Sequence, residues 1–234
     1  YTHDVYTVGG PINGTPGNDS LTGDAGNNVL NGGAGIDTLH GLAGNDTLDG
    51  GVGIETMIGG DGSDIYYVRD VGDLVSETNA TASTGGTDLV YSYLSSYTLG
   101  ANVENGRLIT TSAANLTGNS LNNVLYAGVG NNVLDGSTGI DTVSYTYGVT
   151  GTTGVSVSLA LTTAQATGGS GSDTLIAIEN LTGSNNNDTL TGNSAANILS
   201  GGAGIDTMAG GDGSDIYYVQ DIGDLVSETN ATAS

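Results

Sequence analysis

The residues of this chain with the clearest chemical capacity are acidic side chains that recur at multiples of nine residues. Asp19, Asp37, Asp46 and Asp64 each hold the sixth position of a nine-residue unit that is rich in glycine, and Glu55 holds it in a unit between them. Carboxylate oxygens beside backbone carbonyls are ligands that a hard divalent cation such as calcium prefers. Acid–base catalysis needs groups that converge from different elements on one pocket, and a repeating turn does not provide that.

The repeating unit reads G-G-x-G-x-D-x-U-x, where U is apolar, and its clearest copies are residues 32–40 and 201–209. Positions one to six predict a tight turn, since glycine permits positive φ and lets carbonyls converge. Positions seven to nine predict a short strand whose middle residue points inward. The predicted inward residues are Leu21, Leu30, Leu39, Leu48, Met57, Tyr66, Leu125, Leu134, Val143, Leu190, Leu199, Met208 and Tyr217.

Fourteen such units form three arrays and one isolated copy, and a longer repeat lies above them. Residues 54–83 recur almost unchanged as residues 205–234, at an offset of 151, which indicates a parent built from super-repeats. The predicted segments are a lead-in at 1–13, a first array at 14–67, a β-rich segment at 68–117, a second, looser array at 118–144, a β-rich insert at 145–182 with one unit at 168–176, a third array at 183–218, and the start of another super-repeat at 219–234.

The segments between the arrays have strand character and no helical period. Leu89, Tyr91, Tyr93 and Tyr97 lie on alternate positions of residues 87–99. Residues 154–161 alternate apolar and small polar side chains, which is typical of a half-buried strand. Residues 68–77 and 176–181 are weaker strand candidates. Whether these stretches continue the arrays or cap them stays open at this point.

The unit resembles the nonapeptide of the RTX (repeats-in-toxin) family of hemolysin-type calcium-binding repeats. The resemblance implies an all-β fold, a right-handed parallel β-roll or β-helix solenoid with Ca²⁺ bound in the glycine-rich turns. It also implies that successive units lie on opposite sides, with each ion held between units n and n+2. Carried onto this chain, the paired position-six residues are Asp19 with Asp37, Asp37 with Glu55, Asn28 with Asp46, Asp46 with Asp64, Asn123 with Asp141, Asp188 with Asp206, and Asn197 with Asp215.

Backbone carbonyls of the turns are expected to complete each site, and the sites are expected to differ in strength. Asparagine removes one formal charge, and Glu55 is longer than the aspartate of the pattern. Asn132 has no partner within the second array. An alternative for this array is that it binds no metal and that its asparagines stack as an uncharged ladder. Four acids that follow the first array could add peripheral calcium ligands, but a solvated acidic surface is the favoured expectation; they are Asp70, Asp73, Glu77 and Asp88. The turn glycines assigned to the sites are Gly33, Gly35, Gly51, Gly53, Gly60, Gly62, Gly202, Gly204, Gly211 and Gly213.

The composition narrows the classes of function. The 234 residues include 25 acidic and two basic side chains, for a formal charge of −23. That charge disfavours binding to nucleic acid or to an anionic membrane surface. No apolar run approaches the roughly 20 residues that span a bilayer, and the first residues lack a signal peptide's basic start and apolar core. Low hydrophobicity with high charge predicts disorder until a cation offsets the repulsion.

Two functions fit these features. The first is a calcium-binding structural module of a large secreted bacterial protein, such as an adhesin, surface layer, sheath or fibre, which binds calcium and copies of itself head to tail. The second is the calcium-dependent folding and secretion region of an exported RTX hydrolase, toxin or epimerase. Both imply an extracellular or cell-surface location, reached by type I secretion. The segment itself carries no catalytic constellation, so it is not expected to be an enzyme.

Overall fold

The computed structural model describes the backbone of residues 3–5 and all of residues 10–78 and 85–228. Parts of the lead-in and of the last super-repeat, residues 1–2, 6–9 and 229–234, lie outside the described residues. Within the described ranges every regular element is a β-strand, and no helix is long and apolar enough to cross a membrane. The chain divides into two compact units, Tyr1–Leu94 with Leu99–Ile109, and Ser95–Thr98 with Thr110–Ser234.

The first unit is made of two parallel sheets whose strands alternate along the chain. One sheet has the order β1-β3-β5-β7-β9 and the other the order β2-β4-β6-β8-β10-β12. The strands are β1 (His3–Val5), β2 (Ile12–Asn13), β3 (Asp19–Thr22), β4 (Val29–Gly35), β5 (Thr38–Ala43), β6 (Thr47–Gly53), β7 (Thr56–Asp61), β8 (Ile65–Val68), β9 (Leu74–Ser76), β10 (Leu89–Ser92) and β12 (Asn105–Leu108). Leu21 pairs with Leu39 and Leu30 with Leu48, so one coil holds two nonapeptides.

The second unit repeats this plan with shorter strands. Its sheets have the orders β11-β13-β15-β19-β18, β14-β16-β20-β22-β24 and β17-β21-β23-β25, and β18 alone pairs antiparallel among these described strands. The strands are β11 (Ser96–Thr98), β13 (Ala114–Thr117), β14 (Val124–Tyr126), β15 (Asn132–Asp135), β16 (Thr142–Ser144), β17 (Ser156–Ser158), β18 (Gln165–Gly168), β19 (Gly171–Ile176), β20 (Asn180–Thr182), β21 (Thr189–Thr191), β22 (Ile198–Ser200), β23 (Thr207–Ala209), β24 (Ile216–Tyr218) and β25 (Leu225–Ser227).

The core of each unit is the stack of position-eight side chains, because alternate residues of a strand point to opposite faces. Twelve of the thirteen predicted inward residues are fully buried. Tyr217 is half-buried, so its prediction as a core residue is wrong. Tyr66, its counterpart in the first array, is covered because strand β8 pairs with β10 on its far side. The all-β parallel solenoid predicted from the sequence is confirmed.

The segments between the arrays continue the solenoid. Strand β10 pairs in parallel with both β8 and β12, and β17 pairs in parallel with β21. In β10 the buried residues are Val90 and Ser92, whereas Leu89 and Tyr91 face outward and are half-buried. The alternation seen in the sequence is therefore that of the outer face, since the aromatic rings cover the outside of the sheet.

Candidate metal centre

Position-six residues stack in rows along the sides of each unit. The amide of Asp19 donates to Asp37 Oδ1 at 2.9 Å, so each carboxylate anchors the coil that precedes it. This contact unites residues 18 apart in sequence and brings together six of the seven predicted pairs. The other five bonds, of 2.7–2.8 Å, join Asn28 to Asp46, Asp46 to Asp64, Asn123 to Asp141, Asp188 to Asp206 and Asn197 to Asp215.

Glu55 departs from this arrangement. It lies one coil from Asp37, because Thr38 pairs with Thr56, yet its own amide donates to Asp73 Oδ1 at 3.3 Å. Both oxygens of its carboxylate are buried and have no hydrogen-bond partner. The additional methylene therefore moves the carboxylate away from the bond that aspartate makes elsewhere in the row.

In one class of turn, which we call closed, the position-two amide donates to the position-six side chain. Thr15 N lies 2.6 Å from Asp19 Oδ2, and Ser184 N lies 2.6 Å from Asp188 Oδ2. The hydroxyls of both residues donate to the same carboxylates. The asparagines Asn28, Asn123 and Asn197 occupy closed turns too, accepting from the amides of Asp24, Asn119 and Asn193. The side chains of closed turns thus have backbone donors.

In the second class, which we call open, the position-two residue has positive φ. A change in the sign of φ rotates the peptide plane that carries this amide, so the N–H no longer meets the carboxylate. Each open turn leaves a buried position-six oxygen without a hydrogen-bond partner. The open turns, given as position two with position six, are Gly33 with Asp37, Leu42 with Asp46, Gly51 with Glu55, Gly60 with Asp64, Ser137 with Asp141, Gly202 with Asp206, and Gly211 with Asp215.

Glycines shape these turns at three positions. The ten glycines assigned to the sites lie at positions two and four, and all have positive φ. At position one the reason is space. A Cβ on Gly32 would overlap the carbonyl oxygen of Gly50 and would lie 2.5 Å from Asp37 Oδ2. A carbonyl oxygen and a carboxylate oxygen therefore border the same small space, which a side chain would fill.

Burial without a counter-charge raises the pKa of six open-turn carboxyls, those of Asp37, Asp46, Glu55, Asp64, Asp141 and Asp206. The pKa of Asp46 is raised to about 7 and that of Glu55 to about 8, in both cases chiefly by burial and secondarily by neighbouring carboxylates. The amide of Asn28 opposes the shift at Asp46. Burial likewise raises the pKa of Asp37 and Asp206. A carboxyl group buried at these places is stable only when it is protonated or when a cation is bound to its ionised form.

Sequence analysis did not pair several residues of the position-six rows, because insertions separate these residues from the partners that they contact in the neighbouring coil. Asn132 does have a partner, since its amide donates to Asp173 Oδ1 at 2.8 Å across 41 residues. Asp141 is capped in the same way by Glu179 at 2.8 Å. The signal for Asp173 was its place at position six of the isolated unit 168–176, whereas Glu179 lies within no nonapeptide and had no such signal.

The prediction of a solvated surface at Glu77 and Asp88 is wrong. The exposed fraction is 6% for Glu77 and 1% for Asp88. Asp88 precedes strand β10 and continues the row, because its Oδ1 accepts the amide of Asp64 at 2.8 Å. The apolar residues after Asp88 were the available signal, since the nonapeptides likewise have an acid or its amide next to the apolar residues of a strand.

Comparison with known proteins agrees with this geometry. The family model described as the RTX calcium-binding nonapeptide repeat matches four times, at residues 12–39, 32–66, 111–143 and 179–218. Together these matches cover more than half of the chain. No curated protein matches the chain.

The turns fit the ion that this family binds. Their free carboxylate oxygens are buried, face carbonyl oxygens, and belong to the hard oxygen ligands that calcium prefers. RTX repeats are structural and not catalytic, and they are typical of proteins that leave the cell by type I secretion. With its nonapeptide period, its two-sided coils and these acid-bearing turns, the chain belongs to the RTX calcium-binding nonapeptide repeat family.

Proposed function

We propose that this chain is a calcium-dependent structural region of an exported bacterial protein, which folds where calcium is millimolar. The observation that carries the proposal is the row of buried, partnerless carboxylate oxygens in the open turns. Such oxygens destabilise a folded chain unless something binds them. The chain has a formal charge of −23, so bound cations would also stabilise the fold by reducing the repulsion between its acidic side chains.

The two classes of turn assign different roles to the predicted ligands. Open turns supply the carboxylates that bind calcium, together with carbonyls of the glycine-rich backbone. Closed turns are the first turns of each array. Backbone amides donate hydrogen bonds to their position-six side chains, so these turns can form without bound metal. The proposed ligands are Asp37, Asp46, Glu55, Asp64, Asp141, Asp206 and Asp215. The residues proposed to act chiefly through hydrogen bonds are Asp19, Asp188, Asn28, Asn123 and Asn197.

The energies explain how calcium would control folding. A site with a dissociation constant of about 10⁻⁴ M adds about 1.4 kcal/mol at about 1 mM calcium. Seven open turns would then add about 10 kcal/mol, which is comparable to the stability of a whole domain. At micromolar calcium the same sites add a small fraction of 1 kcal/mol. The chain would thus stay unfolded inside the cell, pass an export channel and fold outside.

Circular dichroism of the chain with 1–10 mM calcium, and again with excess chelator, tests this proposal. The β signal should be present with calcium and lost with chelator, and magnesium should restore little of it, because Mg²⁺ demands a tighter octahedral geometry. An unchanged β signal in chelator would exclude calcium-dependent folding.

The finer role proposed is that of a module in a longer array, which associates end to end. The observation that favours it is a pair of apolar strands, β24 and β25, whose outer edges are unpaired in the described residues. Val226 is 44% exposed, whereas Val75, at the same place in the first super-repeat, is 6% exposed. A parallel solenoid can cover such an edge with a further coil, from the same chain or from a second copy.

Light scattering of the calcium-loaded chain measures this association. Leu225→Lys should reduce the size of any assembly, whereas Ile36→Lys, at an exposed apolar residue in a turn of the first array, should not. A heterologous interface of this kind gives open filaments and not closed dimers. Strict monomers at high protein concentration in millimolar calcium would remove the association and leave the calcium-binding role intact.

A further inference from the structure

Three buried carboxylates converge where the first array ends. Asp64, Glu77 and Asp88 each place a carboxylate oxygen within 4.8 Å of the other two. Their exposed fractions are 1%, 6% and 1%. Glu77 and Asp88 lie outside the nonapeptides and outside the residues matched by the family. This cluster is therefore distinct in its ligands from the repeating turns, although it shares Asp64 with them.

The register of the strands brings the three residues together. Strand β10 pairs with β8, which places Asp88 beside Asp64. Strand β9 pairs with β7, and Glu77, which follows β9, lies opposite Gly59. A Cβ on Gly59 would overlap Asp64 Oδ2 and the Tyr66 hydroxyl and would lie 2.5 Å from Glu77 Oε1.

Glu77 takes a place that backbone holds in the preceding turn. A Cβ on Gly41, one coil earlier on the same side, would meet Asp46 Oδ2 and the carbonyl oxygen of Gly59. At Gly59 itself, the contacts are Asp64 Oδ2 and the side chain of Glu77. An anionic oxygen thus stands at the end of the array where a neutral carbonyl oxygen stands within it.

The cluster has oxygens that nothing satisfies. Asp64 Oδ2 and Glu77 Oε2 are buried without a hydrogen-bond partner. The Tyr66 hydroxyl donates to Glu77 Oε1, and the Asp64 amide donates to Asp88 Oδ1. Burial, followed by the charges of Asp88 and Asp64, raises the pKa of Glu77 to about 9. Arg69 lies nearby in sequence but forms its ion pair with Asp49, at 2.6 Å.

We propose that Asp64, Glu77 and Asp88 bind one divalent cation, with calcium preferred, as a site that closes the first array. Three carboxylates and no nitrogen or sulfur ligand match the oxygen preference of calcium. A cation there would neutralise the buried charge and tie strands β8, β9 and β10 to one point. The proposal goes beyond the calcium-binding turns, because two of its three ligands come from residues that follow the repeats.

Glu77→Gln tests the site, because glutamine keeps the shape of the side chain and removes its charge. Bound calcium would be counted after equilibrium dialysis of the full chain, with circular dichroism on the same samples. The expected result is the loss of one calcium ion per chain with the β signal retained. Glu228→Gln is the matched control, since Glu228 ends the same Asp-Leu-Val-Ser-Glu sequence in the second super-repeat and is exposed, so the count should not change.

Asp88→Asn is the second variant and decides the matter if Glu77→Gln does not fold. Its amide oxygen can still accept the Asp64 N–H, so the strand contact is kept while the charge is lost. An unchanged calcium count in a folded Glu77→Gln or Asp88→Asn chain would overturn the proposal and mean that Glu77 is protonated instead. A wild-type chain that binds no calcium would instead refute the proposed function as a whole.

Discussion

The effect of Asp37→Asn on stability should depend on calcium and that of Asp19→Asn should not, although the two residues are adjacent on one side of the first array. Both are buried, with exposed fractions of 1% and 2%. Asp19 is in a closed turn, held by Thr15 N at 2.6 Å and by the Thr15 hydroxyl at 3.0 Å. Asp37 is in an open turn, where Oδ1 accepts the Asp19 amide and Oδ2 has no partner.

The magnitudes follow from these contacts. Asp37→Asn removes a ligand, which should cost about 1.4 kcal/mol at about 1 mM calcium if one site is lost, and about twice that if two are lost. Without calcium, the same change should stabilise the fold, because burial raises the pKa of Asp37 and the charged form is unfavourable there. Asp19→Asn weakens charge-assisted hydrogen bonds, which should cost about 1 kcal/mol at any calcium concentration.

Urea denaturation followed by circular dichroism, at a series of calcium concentrations, measures both effects. The free energy of unfolding rises by about 1.4 kcal/mol per tenfold calcium for each ion bound on folding above its dissociation constant. Asp37→Asn should reduce this slope by at least one ion, and Asp19→Asn should leave it unchanged. Equal reductions in the two variants, or an unaltered slope in Asp37→Asn, would refute the distinction between open and closed turns.

Three further predictions concern the backbone and the charge of the turns. Leu42 has a φ of 84° and is 49% exposed, so Leu42→Gly should raise stability by about 1 kcal/mol in urea denaturation, while Val52→Gly, without positive φ, should lower it. Gly32→Ala should lower both stability and calcium affinity in calorimetry because its Cβ would overlap backbone, whereas Gly10→Ala, with open space around it, should change neither. Because the pKa of Glu55 is raised to about 8 in the fold, the calcium-free chain binds more protons folded than unfolded between about pH 4 and 8. Its free energy of unfolding should therefore fall as pH rises through that window, so the β signal in chelator, measured by circular dichroism, should grow as pH is lowered. A β signal in chelator that does not grow at lower pH would contradict this.

The sequence alone determined the period of the fold and the face of each residue within a unit. In a nine-residue repeat, the glycine-rich turn holds the acid at position six. The two-residue alternation of the following strand points the apolar residue at position eight into the core. The buried stack from Leu21 to Met57 and the two rows of position-six residues in the first array were predictable for this reason.

Tertiary structure decided what each side chain meets, because that depends on residues from other coils. Tyr66 and Tyr217 have the same flanking residues in the two super-repeats, yet Tyr66 is covered by strand β10 and Tyr217 is half-buried. Insertions hid the bond between Asn132 and Asp173, since a solenoid pairs coils by position and not by distance along the chain. The direction of each position-two amide is likewise a property of the packed backbone, and it determines which carboxylates are satisfied by the chain and which are left for a cation.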